Sequence, residues 1–158
     1  MAGYIKFDGI DGEVIEHGHE KWTELTSFSN AAHKGGSGGT GSTRVAGVAI
    51  FEDIRASKNS DKTTPKLLKA MASGTSFDKV QIDVTVTTDS GPQVIVAYEM
   101  KNVYITSYDI SSHGEGRPAE NMSLNYEEIK IEYFPVDAKG KRGGGIDFAW
   151  SVPKGKTA

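Results

Sequence analysis

Hydrophobic residues at Val80, Ile82, Val84 and Val86 alternate with polar Gln81, Asp83, Thr85 and Thr87, and this period of two predicts a strand with one buried and one wet face. Ser90-Gly91-Pro92 turns the chain into a second apolar run from Val94 to Tyr98, which predicts a hairpin, and a further strand is expected over residues 103–108. Residues 121–134 alternate as Met122, Leu124, Tyr126 and then as Ile129, Ile131, Tyr133. The inward phase flips near Glu127-Glu128, as it does at a bulge or where a strand crosses from one sheet to another. Ile146, Phe148, Trp150 and Val152 predict a last strand. Toward the amino terminus Ile5 and Phe7, then Val14 and Ile15, flank the turn dipeptides Asp8-Gly9 and Asp11-Gly12, and residues 22–28 and 48–54 add two strands. About eight or nine short strands in one chain predict a mainly β fold, a small antiparallel barrel or two-sheet sandwich.

One segment breaks the period. Residues 63–74, TTPKLLKAMASG, place Leu67, Leu68 and Met71 at helical spacing, so a helix over about residues 63–73 presents an apolar stripe for docking on the sheet. Pro65 suits the first helical position, Thr64 precedes it as the cap, and Gly74 supplies a left-handed stop. A helix of about ten residues does not hold together alone in water, because nucleation costs more than so few propagation steps return. It must flank the barrel.

Composition narrows the class. At 158 residues the chain has the length of a single domain, residues 1–158, and no apolar run approaches the ~20 residues of a membrane span, so no membrane insertion is expected. Its beginning, MAGYIKFDG, lacks a basic region followed by a hydrophobic one, so synthesis in the cytoplasm and no secretory signal are expected. The absence of cysteine removes disulfides and thiolate chemistry, and a net charge of −3 with scattered Lys and Arg disfavours nucleic acid as a partner. Glycine, 19 of 158, is concentrated in two clusters that read as a long flexible loop at about residues 31–46 and a shorter one at residues 139–145.

The candidate chemistry is thin. GSGGTGST at residues 36–43 has phosphate-loop spacing, but Ser42 stands where the lysine must be, and a strand pattern follows instead of a helix. His17 and His19 would share a strand face, yet no third ligand accompanies them and they read as surface histidines. Ser112, His113 and Glu115 are sequence neighbours, whereas triads are assembled from separate segments. Glu127 and Glu128 point to opposite faces of a strand. Trp22 and Trp150 are the residues on which a sugar would stack, and aromatics alternating along strands are more often core. No catalytic residue, cofactor or metal site is expected.

Several of these segments, taken in order, are similar to those of one family. TTPKLLKAMASG resembles the helix of the Hcp (haemolysin-coregulated protein) tube proteins of bacterial type VI secretion systems. VYITSYDISSHGEG from residue 103 and PAENMSLNYEEIKIEYFP from residue 118 resemble that family's strand, glycine-containing loop, Glu-x-x-Ser-Leu strand and Tyr-x-Pro ending. The opening YIKFDGIDGE and the closing GGGIDFAWSV extend the likeness from about Tyr4 to Val152. The loop at residues 31–43 departs from it in glycine content.

The resemblance implies a β-barrel with a flanking helix, a homohexameric ring, and rings stacked into a tube. It implies a contractile sheath and a spike protein as partners, effectors carried in the lumen, and secretion by a leaderless contractile route. The tail-tube protein of a phage-like contractile particle shares this architecture. A monomeric carbohydrate-binding β-sandwich is the rival of another class. Ring-stacking contacts are expected from Gly35, Gly36, Ser37, Gly38, Gly39, Thr40 and Gly41. Shortening that stretch is expected to leave far-UV circular dichroism and melting unchanged while tubes seen by electron microscopy become shorter, because flexible loops contribute little to a domain core.

Overall fold

The computed structural model describes residues 2–36 and 46–158. In chain order the elements are β1 (Ala2–Phe7), β2 (Thr23–Leu25), β3 (Ser27–Ser29), β4 (Ala32–Gly36), β5 (Ala46–Phe51), β6 (Ile54–Asn59), α1 (Thr64–Ser73), β7 (Phe77–Thr88), β8 (Gly91–Ser111), β9 (Ala119–Asn125), β10 (Glu128–Tyr133), β11 (Ile146–Ser151) and β12 (Lys156–Thr157). One path of strands runs β12-β11-β10-β8-β7-β1-β2, while β6 lies between β3 and β9, and β9 returns to β8. These pairs are antiparallel. The wall closes because β2 runs into β3 through Thr26, whose N–H donates to the Ser57 carbonyl at 2.8 Å. Closure covers the edges within this loop of strands, while β10, β11 and β12 branch from β8 outside it.

The phase flip in the sequence marks a real crossing. β9 pairs with β6 and the second half of β8, β10 with β11 and the first half of β8, and the chain changes partners at Tyr126-Glu127. β8 changes sheets at the same level. Where the sequence pattern predicts two strands, at residues 94–98 and 103–108, one strand of 21 residues is continuous. It bends instead of breaking, because Asn102 adopts a left-handed φ of 50°, which asparagine tolerates, and its Nδ2 donates to Glu127 Oε2 at 2.8 Å. Similarly, residues 22–28 divide into β2 and β3, and residues 48–54 divide at Glu52-Asp53. Val14 and Ile15 belong to no strand; their segment folds back through Val14 N–H on the Trp22 carbonyl at 3.0 Å and Lys21 N–H on the Val14 carbonyl at 2.8 Å.

Ile5, Phe7, Val80, Ile82, Met100 and Ile129 fill one side of the barrel, and Ile54, Met122 and Leu124 fill the other. The helix seals it. Leu67 is completely buried, Ala70 is buried, and Met71 packs partly against the core, whereas Leu68 is only half-buried. The cap is Thr63, not Thr64 as the sequence suggests. Gly74 does take the left-handed turn, at φ 67°, and Thr75 N–H reaches the Ala70 carbonyl at 3.0 Å.

Thr64 is displaced from capping because its hydroxyl donates to Glu120 Oε2 at 2.7 Å. Glu120 on β9 and Lys58 on β6 are both completely buried and meet at 3.0 Å. Lys58 Nζ also donates to Asp61 Oδ1 and to the Asn59 carbonyl, each at 3.0 Å. Glu120 accepts from Ser60 Oγ at 2.5 Å and from the Tyr108 hydroxyl. Burial by itself would raise the Glu120 pKa, but hydrogen bonds from Ser60, Tyr108, Thr64 and Lys58 outweigh it and hold the carboxyl below the usual glutamate range. Burial and the adjacent Glu120 together push the Tyr108 hydroxyl up.

A buried pair deprived of one member leaves an uncompensated charge, so Lys58→Met or Glu120→Leu alone is expected to cost about 3–5 kcal/mol, and the double variant less than either single. Urea midpoints of the isolated chain measure this. Because the Glu120 pKa is depressed in the folded state, its contribution is present above the unfolded glutamate value and is lost as pH falls through the folded one; Glu120→Gln should flatten acid unfolding in that window.

Candidate assembly surfaces

The inner face of the barrel wall continues past the core. On β10 the row Ile129, Ile131, Tyr133 passes from buried to 51% exposed, and the opposed row on β11, Trp150, Phe148, Ile146, ends 70% exposed. In register, Ile129 faces Trp150, Ile131 faces Phe148 and Tyr133 faces Ile146. Phe51, at the end of β5, covers part of this face by stacking on Trp150 and Phe148 at centroid distances of 5.4 and 6.2 Å. β12 pairs only with Trp150 and Ser151. Among the described residues, no strand pairs with Ile146-Asp147-Phe148 on that side, which leaves an apolar face beside an unfilled strand edge.

A turn over residues 135–145 borders this face, and it is tied down where the glycine content predicts flexibility. Asp137 Oδ1 accepts the N–H groups of Lys139 and Lys141 at 2.9 and 2.8 Å. Gly143 N–H reaches the Pro135 carbonyl at 2.7 Å, and the Arg142 guanidinium lies 4.1 Å over the Phe134 ring. Lys139 and Lys141 are left pointing outward, without an ion pair among the described residues.

Strand also occurs within the longer glycine-rich stretch. β4 and β5 form a hairpin of their own, so residues 32–36 and 46–51 are strand where a loop is expected. Gly35 and Gly36 belong to β4; Ser37, Gly38, Gly39, Thr40 and Gly41 lie outside the described residues. Glycine is needed opposite Gly35: a Cβ on Gly47 would sit 2.5 Å from the Gly35 carbonyl oxygen. Val48 and Ile50 of this hairpin are exposed.

The candidate chemical residues do not converge. His19 is buried, not at the surface: its Nε2 lies 2.9 Å from Asp83 Oδ2, its ring stacks on Tyr4 at 4.6 Å, and Trp22 meets it edge-on. Burial raises the Asp83 pKa, with His19 opposing that shift. His17 is fully exposed and pairs with Glu20 at 3.3 Å. Among the described residues no three potential ligands cluster for a metal. Ser112, His113 and Glu115 are all exposed in a turn formed by left-handed Gly114 and Gly116. Glu127 is held by Asn102, and Glu128 lies 3.8 Å from Lys101. Trp22 and Trp150 are each half-buried, Trp22 edge-on to His19 and Trp150 stacked with Phe51 and Phe148.

The described residues thus form a barrel with a docked helix and an apolar face beside an open strand edge. The family model described as "Type VI secretion system effector, Hcp" matches residues 4–133. The chain belongs to the Hcp family. Its relatives include Protein hcp1 of Pseudomonas aeruginosa, 28% identical over 151 residues, covering 94% of this chain and 93% of that one. A solved type six secretion system protein is 29% identical, covers 99% of both chains and superposes with a TM-score of 0.93. Hcp1 from Salmonella typhimurium, 21% identical, shares the fold over 99% of this chain and 98% of its own at a TM-score of 0.80. The Hcp proteins are structural components of type VI secretion and not enzymes.

Neither the open face nor the Lys58–Glu120 pair is announced by a motif. The Ile146-Phe148-Trp150 alternation is the one signal that pointed to the face, and it reads equally well as core. Since His17 and His19 diverge, equimolar zinc is expected to shift the melting temperature by less than ~1 °C. Zinc retained at one ion per chain after dialysis would contradict this geometry.

Proposed function

We propose that this Hcp-family chain is a subunit of the type VI inner tube: six copies close into a ring, rings stack end to end, and the lumen carries effectors. The observation that carries this reading is the open apolar face of β10 and β11 beside the unfilled β11 edge. An isolated soluble domain exposes such a face at a cost, and a neighbouring copy that covers it removes the apolar area from water and can satisfy the edge. Contacts of one patch with a different patch on the next copy generate rings when the rotation closes, and a second such contact along the axis generates a tube.

In this reading the β4–β5 hairpin, with Gly35 and Gly36 near its tip and Val48 and Ile50 exposed, makes the axial contact between rings. The contractile sheath surrounds the tube and the spike caps it. Assembly takes place in the cytoplasm, and the tube leaves by contraction.

Light scattering of the purified chain is expected to give about 102 kDa, six times its 17.0 kDa mass, with annular particles in negative stain. Ile146→Asp should shift the population toward monomer without changing the far-UV spectrum, because that side chain is already 70% exposed in the single chain. A wild-type chain that stays monomeric at high concentration would overturn the proposal.

A further inference from the structure

The segment from Asp11 to Trp22 lies as a strap over the outer side of β1 and β7, and one histidine fastens it. Tyr4 on β1 and Asp83 on β7 are cross-strand neighbours on the face away from core residues Ile5 and Ile82. His19 stacks on Tyr4 and reaches Asp83 Oδ2 with Nε2 at 2.9 Å. The arms of the strap are tied by Gly12 N–H on the Lys21 carbonyl at 2.6 Å, and Lys6 Nζ on β1 donates to the Ile10 and Lys21 carbonyls at 2.7 and 3.2 Å.

An ionised carboxylate only accepts hydrogen bonds, so Asp83 fixes a proton on His19 Nε2. A neutral imidazole then turns the lone pair of Nδ1 toward Glu16 Oε2, 3.8 Å away. Both atoms are buried, and neither has a hydrogen-bond partner among the described residues. Two acceptors facing each other out of water are unfavourable, and a proton on Nδ1 converts them into an ion pair. The imidazolium is the one form that offers a proton to both carboxylates.

The other groups around the ring do not supply that proton. Burial, with Glu16 and Glu24 of β2 nearby, raises the Tyr4 hydroxyl to about 12, so it stays protonated near neutrality. Burial raises the Asp83 pKa, opposed by His19 and then by Arg142 from the turn over residues 135–145. On the strap itself, exposed His17 pairs with Glu20, and Asp11 is engaged by Lys6 and Lys21.

We propose that His19 is a pH-operated latch: as imidazolium it clasps Asp83 and Glu16 and holds the strap on the barrel, and as neutral imidazole it releases Glu16 and loosens the strap. The bound proton strengthens closure. The latch is therefore fastened at mildly acid pH and comes undone as pH rises through the range in which histidine changes charge, about pH 5 to 8. It acts within one chain and does not depend on the ring reading.

Hydrogen–deuterium exchange of the intact chain, read by mass spectrometry on peptides spanning residues 11–22, measures strap opening. Light scattering at each pH keeps the comparison within one oligomeric state. After division by the intrinsic exchange rate, exchange in the strap is expected to rise at least ~5-fold between about pH 5.5 and about pH 8, with peptides from β7 unchanged. Glu16→Gln sets an amide donor beside Nδ1, so neutral His19 gains a partner and the rise should disappear. Because Glu16 is partly exposed, this variant is expected to keep the native far-UV spectrum. His17→Gln, at an exposed position, should retain the full rise. Flat exchange in the wild type overturns the latch, and so does a rise that Glu16→Gln leaves in place or that His17→Gln removes. Each of these outcomes leaves the ring reading standing.

Discussion

The Lys58–Glu120 pair is the constraint on which the rest of this architecture hangs. Two charges taken wholly out of water are a liability unless every lone pair and proton finds a partner, and here each does. The partners come from five places: Lys58 and Glu120 from adjacent strands β6 and β9, Tyr108 from β8, Ser60 and Asp61 from the loop after β6, and Thr64 from the first turn of α1. The pair therefore fixes where the helix begins relative to the barrel wall. Once that point is fixed, Leu67 falls into the core and Leu68 does not, and the helix seals the barrel at that place.

A second device positions the surfaces. β8 and the β9–β10 segment cross between sheets at one level, where left-handed Asn102 is bonded to Glu127. Because both strands turn together, they remain paired above and below the crossing, and the upper half runs on beyond the core as a two-sided wall. Its apolar side is covered only in part, by Phe51. In an isolated domain this would be a flaw. In the ring reading proposed for this chain, a neighbouring copy would cover that face and the edge beside it.

Much of this was legible in the residue pattern. The period-two runs located the strands, the Glu127-Glu128 phase flip located the crossing, and Pro65 and Gly74 bracketed the helix to within a residue. The misreadings have a common origin. Thr64 lost its capping role to Glu120, 56 residues away. His19 left the surface for Asp83, 64 residues away. Residues 32–36 became strand because residues 46–51 lie opposite them, and β8 stayed whole because β7 pairs with it as far as Val103 while its other partner passes from β10 to β9. In each case a partner distant in sequence overrode a correct local preference.

What the sequence determined by itself is therefore what nearest neighbours determine: periodicity, turn chemistry, the helix ends, and the family, whose signature is several short motifs in order. What only the tertiary structure decided is which apolar residues are core and which are surface. Ile129 and Ile146 sit on strands of the same pattern, and one is sealed while the other is open. Alternation specifies which face of a strand is apolar, but whether anything covers that face depends on how far the barrel and its helix extend, and that is a property of the closed fold.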